Sequence, residues 1–344
     1  MREEYGLEVL EKYNIEVKGT RKIRGAFFCD TNEGTMLLKE TRISDRRALL
    51  LYRILNLLEM RGNVKVDTPV FTSEGELLVT SREGITYMLK KWYQGRECDI
   101  RQESEVIRAA RQLALLHREL DEVSEDLAGD QADGAPACEI MNVPKGNSPL
   151  EMISRHNREL KKVRTFIRSR VTKNEFEYLF LDSFDKMYGM AEKVLRKMAD
   201  SGCGRLYEDS ISGSKLVHGD YNYHNLLILK EGMAVTGFER MRADIQVNDL
   251  YYFIRKVMEK HHWKLKSGQK LIEAYEAVRP LEPGEREYLG LSLAYPEKFW
   301  KTAGNYYRSN KAWIPEKCVE KLELAVRQCE EKYEFLKEIF SLKM

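Results

Sequence analysis

Leu216-Val217-His218-Gly219-Asp220-Tyr221-Asn222-Tyr223-His224-Asn225-Leu226-Leu227-Ile228 is the stretch whose reading decides the fold. After a short turn it resumes as Met233-Ala234-Val235-Thr236-Gly237-Phe238-Glu239-Arg240, and it closes at Asn248-Asp249-Leu250. Apolar runs at 226–229 and 233–236 flank Lys230-Glu231-Gly232 and predict a β-hairpin. Ahead of the hairpin lies a polar loop with Asp220 and, five residues on, Asn225. That pair suits phosphoryl transfer. A carboxylate accepts the proton of an attacking hydroxyl, and a nearby amide oxygen helps to hold a magnesium ion.

The run His218-Gly219-Asp220, four further residues and Asn225 resembles the catalytic loop of the aminoglycoside phosphotransferase and choline kinase group, within the protein-kinase-like fold. Taken with Asp244-Ile245-Gln246-Val247-Asn248-Asp249-Leu250-Tyr251-Tyr252, it is similar to the spore coat protein S (CotS) family, kinase-like proteins of endospore-forming bacteria. The broad resemblance covers nearly the whole chain, the narrower one mainly residues 216–263. It implies an α+β, two-lobed, protein-kinase-like fold. Residues 1–92 would form an N-lobe of five antiparallel strands and one helix. Residues 93–344 would form a helical C-lobe, with the hairpin at 216–240 and a helical insertion at about 150–200. Asp220 would be the catalytic base and Asn225 a metal ligand. His218 would support the loop, and Asp249 would bond its backbone from the next helix. ATP and magnesium are the implied cofactors. The implied partners are other spore coat proteins and a small-molecule acceptor, and the implied location is the mother-cell cytoplasm and then the coat.

One position departs from this pattern. In active members of the group the residue before the Phe is an Asp that binds magnesium, whereas here the segment is Thr236-Gly237-Phe238-Glu239. Magnesium in such sites relies on one or two carboxylates besides phosphate oxygens and waters. Losing one weakens metal binding and removes charge neutralisation in the transition state. Glu239, two residues on, is the candidate replacement. Three readings follow: a weakly active kinase or pseudokinase serving the coat, an active ATP-dependent kinase that phosphorylates a hydroxyl with Asp220 as base, and a nucleotide-binding switch that never turns over.

Composition sets wider bounds. The 344 residues suffice for one large or two ordinary domains. Hydrophobic residues make up 43% and charged residues 33%, as in soluble globular chains, and the net charge of +2 argues against a dedicated nucleic-acid binder. No apolar run reaches the length of a membrane span. The N-terminus lacks a signal-peptide core, which predicts a cytoplasmic protein. Six cysteines, with no Cys-x-x-Cys pair, read as reduced and mostly buried thiols.

Along the chain, residues 2–14 predict a short amphipathic helix. Strands follow at 15–18, 26–30 and 35–39, with a glycine-bearing turn from Gly19 to Gly25. Lys39 then stands where the resemblance places a lysine on the nucleotide phosphates; a solvated strand-end lysine is the plain alternative. Ser44 caps a helix to about Met60. Its only Glu is Glu59, near the end, so a Glu that would pair with Lys39 has no evident position. Strands are expected at 70–72, 77–80 and 86–90. Residues 87–96 resemble an interlobe hinge, where the backbone near Leu89 and Lys91 would meet an adenine; an edge strand ending in aromatic packing fits as well. Asp99 is a candidate cap for the next helix, with His117 a packing residue. Residues 123–149 read as a mobile loop. A basic helix follows, with Arg155, Arg158, Lys161, Lys162, Arg164, Arg168 and Arg170, and Lys161 and Arg164 are candidates for an acidic partner. Helices are expected at 175–199 and 250–260. The run Val319, Leu322, Val326, Cys329, Tyr333, Leu336, Phe340 suits a terminal helix on its own domain or a coiled-coil seam.

Overall fold

The computed structural model describes residues 6–23, 25–129, 143–309 and 316–343. Its N-terminal part is built on an antiparallel sheet and its C-terminal part on helices. Backbone packing divides the chain into two compact units, Met1–Pro144 with Ser214–Ala243, and Lys145–Gly213 with Asp244–Met344.

In the first unit, β1 (Val17–Ile23), β2 (Ala26–Thr31), β3 (Gly34–Glu40), β5 (Val79–Thr80) and β6 (Thr86–Lys91) form one five-stranded sheet in the order β1-β2-β3-β6-β5, antiparallel throughout. One face buries Phe27, Cys29, Met36, Leu38 and Leu89 with Val9 and Leu10 of an N-terminal 3-10 turn, Leu7–Lys12, and with Tyr13 just after it. Residues 2–5 of the expected N-terminal helix lie outside the described residues. The other face packs Met88 with Ala48 of helix α1 (Asp45–Arg61). Ser44 caps α1 by accepting from the Arg47 N–H, and Gly62 ends it in the left-handed conformation.

A second sheet joins β4 (Lys65–Val66), β10 (Met233–Val235), β9 (Leu226–Ile228) and β7 (Arg96–Glu97) in that order. The expected hairpin is β9–β10, with Leu226 opposite Val235. The parallel β4–β10 pair brings the segment after Val66 beside the segment after Val235. Helix α2 (Glu103–Gly129) completes the unit with β8 (Leu216–Val217) and β11 (Arg242–Ala243). It is tied to α1 by Arg61, which pairs with Glu119 and Asp126.

Several local expectations change. Gly19 lies inside β1 rather than in the turn. Residues 70–72 form no strand; Pro69 makes a single bridge to Lys90, and a proline cannot donate to a ladder. Asp99 does not cap α2, which begins four residues later; its carboxylate holds Arg101 instead. Residues 123–129 continue α2, and 130–142 of the expected loop, with Cys138, lie outside the described residues. The other five cysteines are unbridged, and four of them are buried.

The second unit is helical: α3 (Pro149–Ser169), α4 (Glu175–Ala199), α5 (Cys203–Ser212), α6 (Val247–Met258), α7 (Leu265–Glu276), α8 (Pro283–Ala294), α9 (Glu297–Arg308), α10 (Glu316–Arg327) and α11 (Cys329–Phe340). Asn174 and Glu177 form a reciprocal capping box that starts α4. Leu160, Val163 and Ile167 of α3 meet Phe176, Phe180 and Phe184 of α4 and Phe299 of α9 in one core. Each such side chain contributes roughly 1.5–3 kcal/mol by leaving water. The C-terminal run is broken at Gln328, which sits between α10 and α11 and donates from its side chain to the Glu259 carbonyl. Leu322, Cys329 and Leu336 are buried within this unit, so the run packs on its own domain. Lys161 and Arg164 are engaged by α4, over the rings of Tyr188 and Phe184, and Arg164 also pairs with Asp185. Arg155, Arg158, Lys161, Lys162 and Arg168 of α3 are exposed.

His156 of α3 stacks on Trp300 with ring centroids 3.4 Å apart, and its buried Nδ1 has no partner. Burial lowers its pKa from 6.5 to about 4. Between those values the unfolded chain takes up a proton that the folded one refuses, so stability falls as pH drops through the window. His156→Phe keeps the stacked ring and cannot protonate. It is expected to lose about 1–2 kcal/mol less than the parent between about pH 7.5 and about pH 5 in urea denaturation. Equal losses would remove His156 as the cause.

Candidate functional site

The Asp220 loop is built by its own side chains. His218 is fully buried, and its Nδ1 accepts from the Asp220 N–H at 3.1 Å. Its Nε2 therefore carries the proton and donates to the Thr236 carbonyl at 3.0 Å, which ties the loop to the residue after β10. Gly219 has φ +80, and a Cβ there would meet the Arg240 carbonyl. The Tyr221 hydroxyl donates to the Ala109 carbonyl of α2 at 2.8 Å. Asn225 Nδ2 donates to the Asp220 carbonyl at 2.9 Å, which turns its Oδ1 toward Gly237. The Asp220 carboxylate stays partly exposed; Asn222 Nδ2 donates to its Oδ1 at 3.0 Å, and Arg240 approaches its Oδ2 at 3.9 Å. Asp220, Asn225, Gly237, Glu239 and Lys39 thus belong to one connected set within the first unit. Asp249 is buried in the first turn of α6, in the second unit.

Gly237 is more than a missing side chain. Its φ is +83 and ψ is 42, left-handed values that L residues rarely adopt. A Cβ there would lie 2.9 Å from Asn225 Cγ and Oδ1. Its N–H donates to Asp67 Oδ2 at 3.0 Å. The backbone has therefore settled into a shape that an aspartate would strain.

Glu239 is already engaged. Its Oε1 lies 2.7 Å from Lys90 Nζ and 3.3 Å from Lys39 Nζ. Lys90, on β6, is buried to 2% exposure and also meets Asp67 Oδ2, at 3.0 Å. Asp67 is buried as deeply, and its Oδ1 has no partner. Burial alone would raise the Glu239 pKa, but Lys90 and then Lys39 outweigh it and hold the carboxyl at about 2. Burial pushes Asp67 up despite Lys90. For Lys90, burial works downward and is overcome by Asp67 and Glu239, which keep it an ammonium.

Lys39 pairs with Glu239 rather than with α1. Glu59 of α1 pairs with Lys91 instead. In the first turn of α1, Arg47 donates to the backbone carbonyls of Glu239 and Met241. The helix thus offers an arginine to the segment after Gly237 and no carboxylate to Lys39. The adenine contacts expected at Leu89 and Lys91 are also changed by pairing within the protein. The Lys91 N–H donates to the Thr68 carbonyl, and the Leu89 carbonyl accepts from Val70, each at 2.9 Å. Lys91 has no N–H left for a base.

These residues do not fit a magnesium ion. Gly237 has no ligand to give, Glu239 is shared by two ammonium groups, and a divalent ion held there would face the Lys90 charge at close range. Among the described residues, no three His, Cys, Asp or Glu side chains converge as metal ligands.

Sequence reasoning passed over Asp67, Lys90, Arg47 and Arg240. Lys90 did leave a signal: in Met88-Leu89-Lys90 it shares the inward face of its strand with Met88, so a charge sits at a core position. Asp67 and Arg47 become visible only when β4 is paired with β10.

Residues 154–339 match the family model described as "Spore coat putative kinase YutH". Spore coat protein S of Bacillus subtilis (strain 168) is 27% identical over 144 residues, 41% of this chain. The match spans 41% of that protein, about two fifths of its length. An aminoglycoside phosphotransferase from Alicyclobacillus acidocaldarius superposes with a TM-score of 0.81 at 18% identity, over 96% of this chain and 94% of its own. Spectinomycin phosphotransferase APH(9)-Ia, in its AMP-bound complex, gives 0.64 at 13% identity, over 94% and 96%. At these identities the likeness is one of fold, and the fold is kinase-like. No helix among the described residues is long and apolar enough to cross a membrane.

Gly237→Ala and Gly237→Asp are each expected to lower stability by about 1–3 kcal/mol, through left-handed strain and the Asn225 contact. Restoring the acid is expected to bring no magnesium-dependent ATP binding in calorimetry. Unchanged stability together with a gain of such binding would contradict the geometry described for position 237.

Proposed function

The chain belongs to the spore coat YutH kinase family, and from that membership we propose that it works in the spore coat as a pseudokinase, contacting other coat proteins and not transferring phosphate efficiently. The single observation that carries this reading is the engagement of Glu239 by Lys90 and Lys39. Glu239 is the acid that the sequence offers in place of the missing aspartate. With its charge neutralised in place, the cleft has lost the carboxylates on which a catalytic magnesium depends. The coat role draws on the family and on the similarity to coat protein S, as does its location in the mother cell and then in the coat.

A second reading keeps one observation in its favour. Asp220 and Asn225 stand in register on an ordered loop, and the Asp220 carboxylate is partly exposed. In an active small-molecule kinase Asp220 would take the hydroxyl proton, and Lys39 would leave Glu239 for the nucleotide phosphates.

The two readings separate in a phosphotransfer and ATP-hydrolysis assay with magnesium, against a panel of amino-sugar and amino-alcohol acceptors. The proposal expects turnover indistinguishable from that of Asp220→Ala. Turnover that Asp220→Ala abolishes would establish the second reading.

A further inference from the structure

Lys90 is a buried ammonium that nothing in the kinase chemistry of the Asp220 loop uses. It is held by Asp67 Oδ2 at 3.0 Å and by Glu239 Oε1 at 2.7 Å. The same Asp67 oxygen accepts the Gly237 N–H, so the ammonium sits beside the backbone position whose side chain is missing. We infer that Lys90 is a built-in cation of this cleft: it neutralises Asp67 and Glu239, closes the cleft to divalent metal, and leaves any phosphate-bearing ligand to be bound without one.

The inference rests on the reading of the cleft as a degenerate metal site, and three features carry it. The first is burial: Lys90 and Asp67 are each 2% exposed or less, so neither charge is relieved by water. A desolvated ammonium needs close carboxylates, and these two can serve it or a metal ion, but not both. The second is the strand: Lys90 lies on β6, paired residue for residue with β3, so its backbone is fixed against the cleft. The third is the half-satisfied state of Asp67, whose Oδ1 is buried and unpartnered. One ammonium leaves that oxygen unused, whereas removal of Lys90 would expose both Asp67 oxygens and Glu239 to an incoming cation. On the solvent side, the more exposed Lys39 and Arg240 are the cations that an anionic phosphate ester would meet.

The test is manganese binding to the full-length chain, followed by electron paramagnetic resonance, with Mn2+ alone and with Mn2+ plus ADP. The wild type is expected to bind no Mn2+ in the cleft under either condition. Lys90→Met is expected to gain one bound Mn2+, at least about tenfold tighter than in the wild type, and Lys90→Met/Glu239→Gln to lose it again. Stoichiometric Mn2+ on the wild type that Glu239→Gln removes would overturn the inference. So would a folded Lys90→Met protein with no gain. Should Lys90→Met fail to fold with two carboxyls left facing each other, Asp67→Asn/Lys90→Met asks the same question through Glu239, and the wild-type titration decides in any case. Failure here is separable from failure of the pseudokinase reading. A wild type that binds Mn2+ and transfers no phosphate sinks only this inference, and one that transfers phosphate without binding Mn2+ sinks only that reading.

Discussion

A single buried ammonium organises the cleft of this protein. Lys90 carries its charge into the interior of the first unit and is held there by Asp67 and Glu239. Taking such a charge from water costs several kcal/mol, offset only by close and well-oriented carboxylates. The arrangement fixes the rest of the neighbourhood. Asp67 gives its second interaction to the Gly237 N–H, Lys39 turns to Glu239, and Arg47 holds the backbone that carries Glu239.

The Asp220 loop is held by its own side chains, while the charges beside it are paired within the protein. The Asp220 loop retains its internal bonds: His218 to Thr236, Asn225 to the Asp220 carbonyl, Tyr221 to Ala109. These bonds shape the loop whether or not it turns over substrate.

Much of the fold was legible in local sequence. The hairpin at 226–235, the capped helix after Ser44 and the boxed helix after Asn174 are set by turn residues, caps and apolar spacing, all short-range signals. Short strands were missed, since β4 and β7 have two residues each and exist only through their partners. The break at Gln328 was hidden by an apolar run that stays in register across it. The site was half legible. Motif residues announced the Asp220 loop and the missing acid at 237. The left-handed backbone at Gly237, the pairing of Lys39 with Glu239 and the burial of Lys90 all depend on contacts between residues far apart in sequence. The backbone groups of Leu89 and Lys91 illustrate the same limit: a hinge motif can be read in a sequence, but whether its N–H is already bonded cannot.

The most direct test of the built-in cation is crystallographic. Crystals of the full chain soaked with a non-hydrolysable ATP analogue and Mn2+, measured at the manganese absorption edge, would locate any metal in the cleft. The account predicts no anomalous peak between Asn225 and Glu239, with Lys90 Nζ still in contact with Asp67 and Glu239 whether or not nucleotide density appears. A manganese peak ligated by Glu239, with Lys90 displaced from it, would contradict the account.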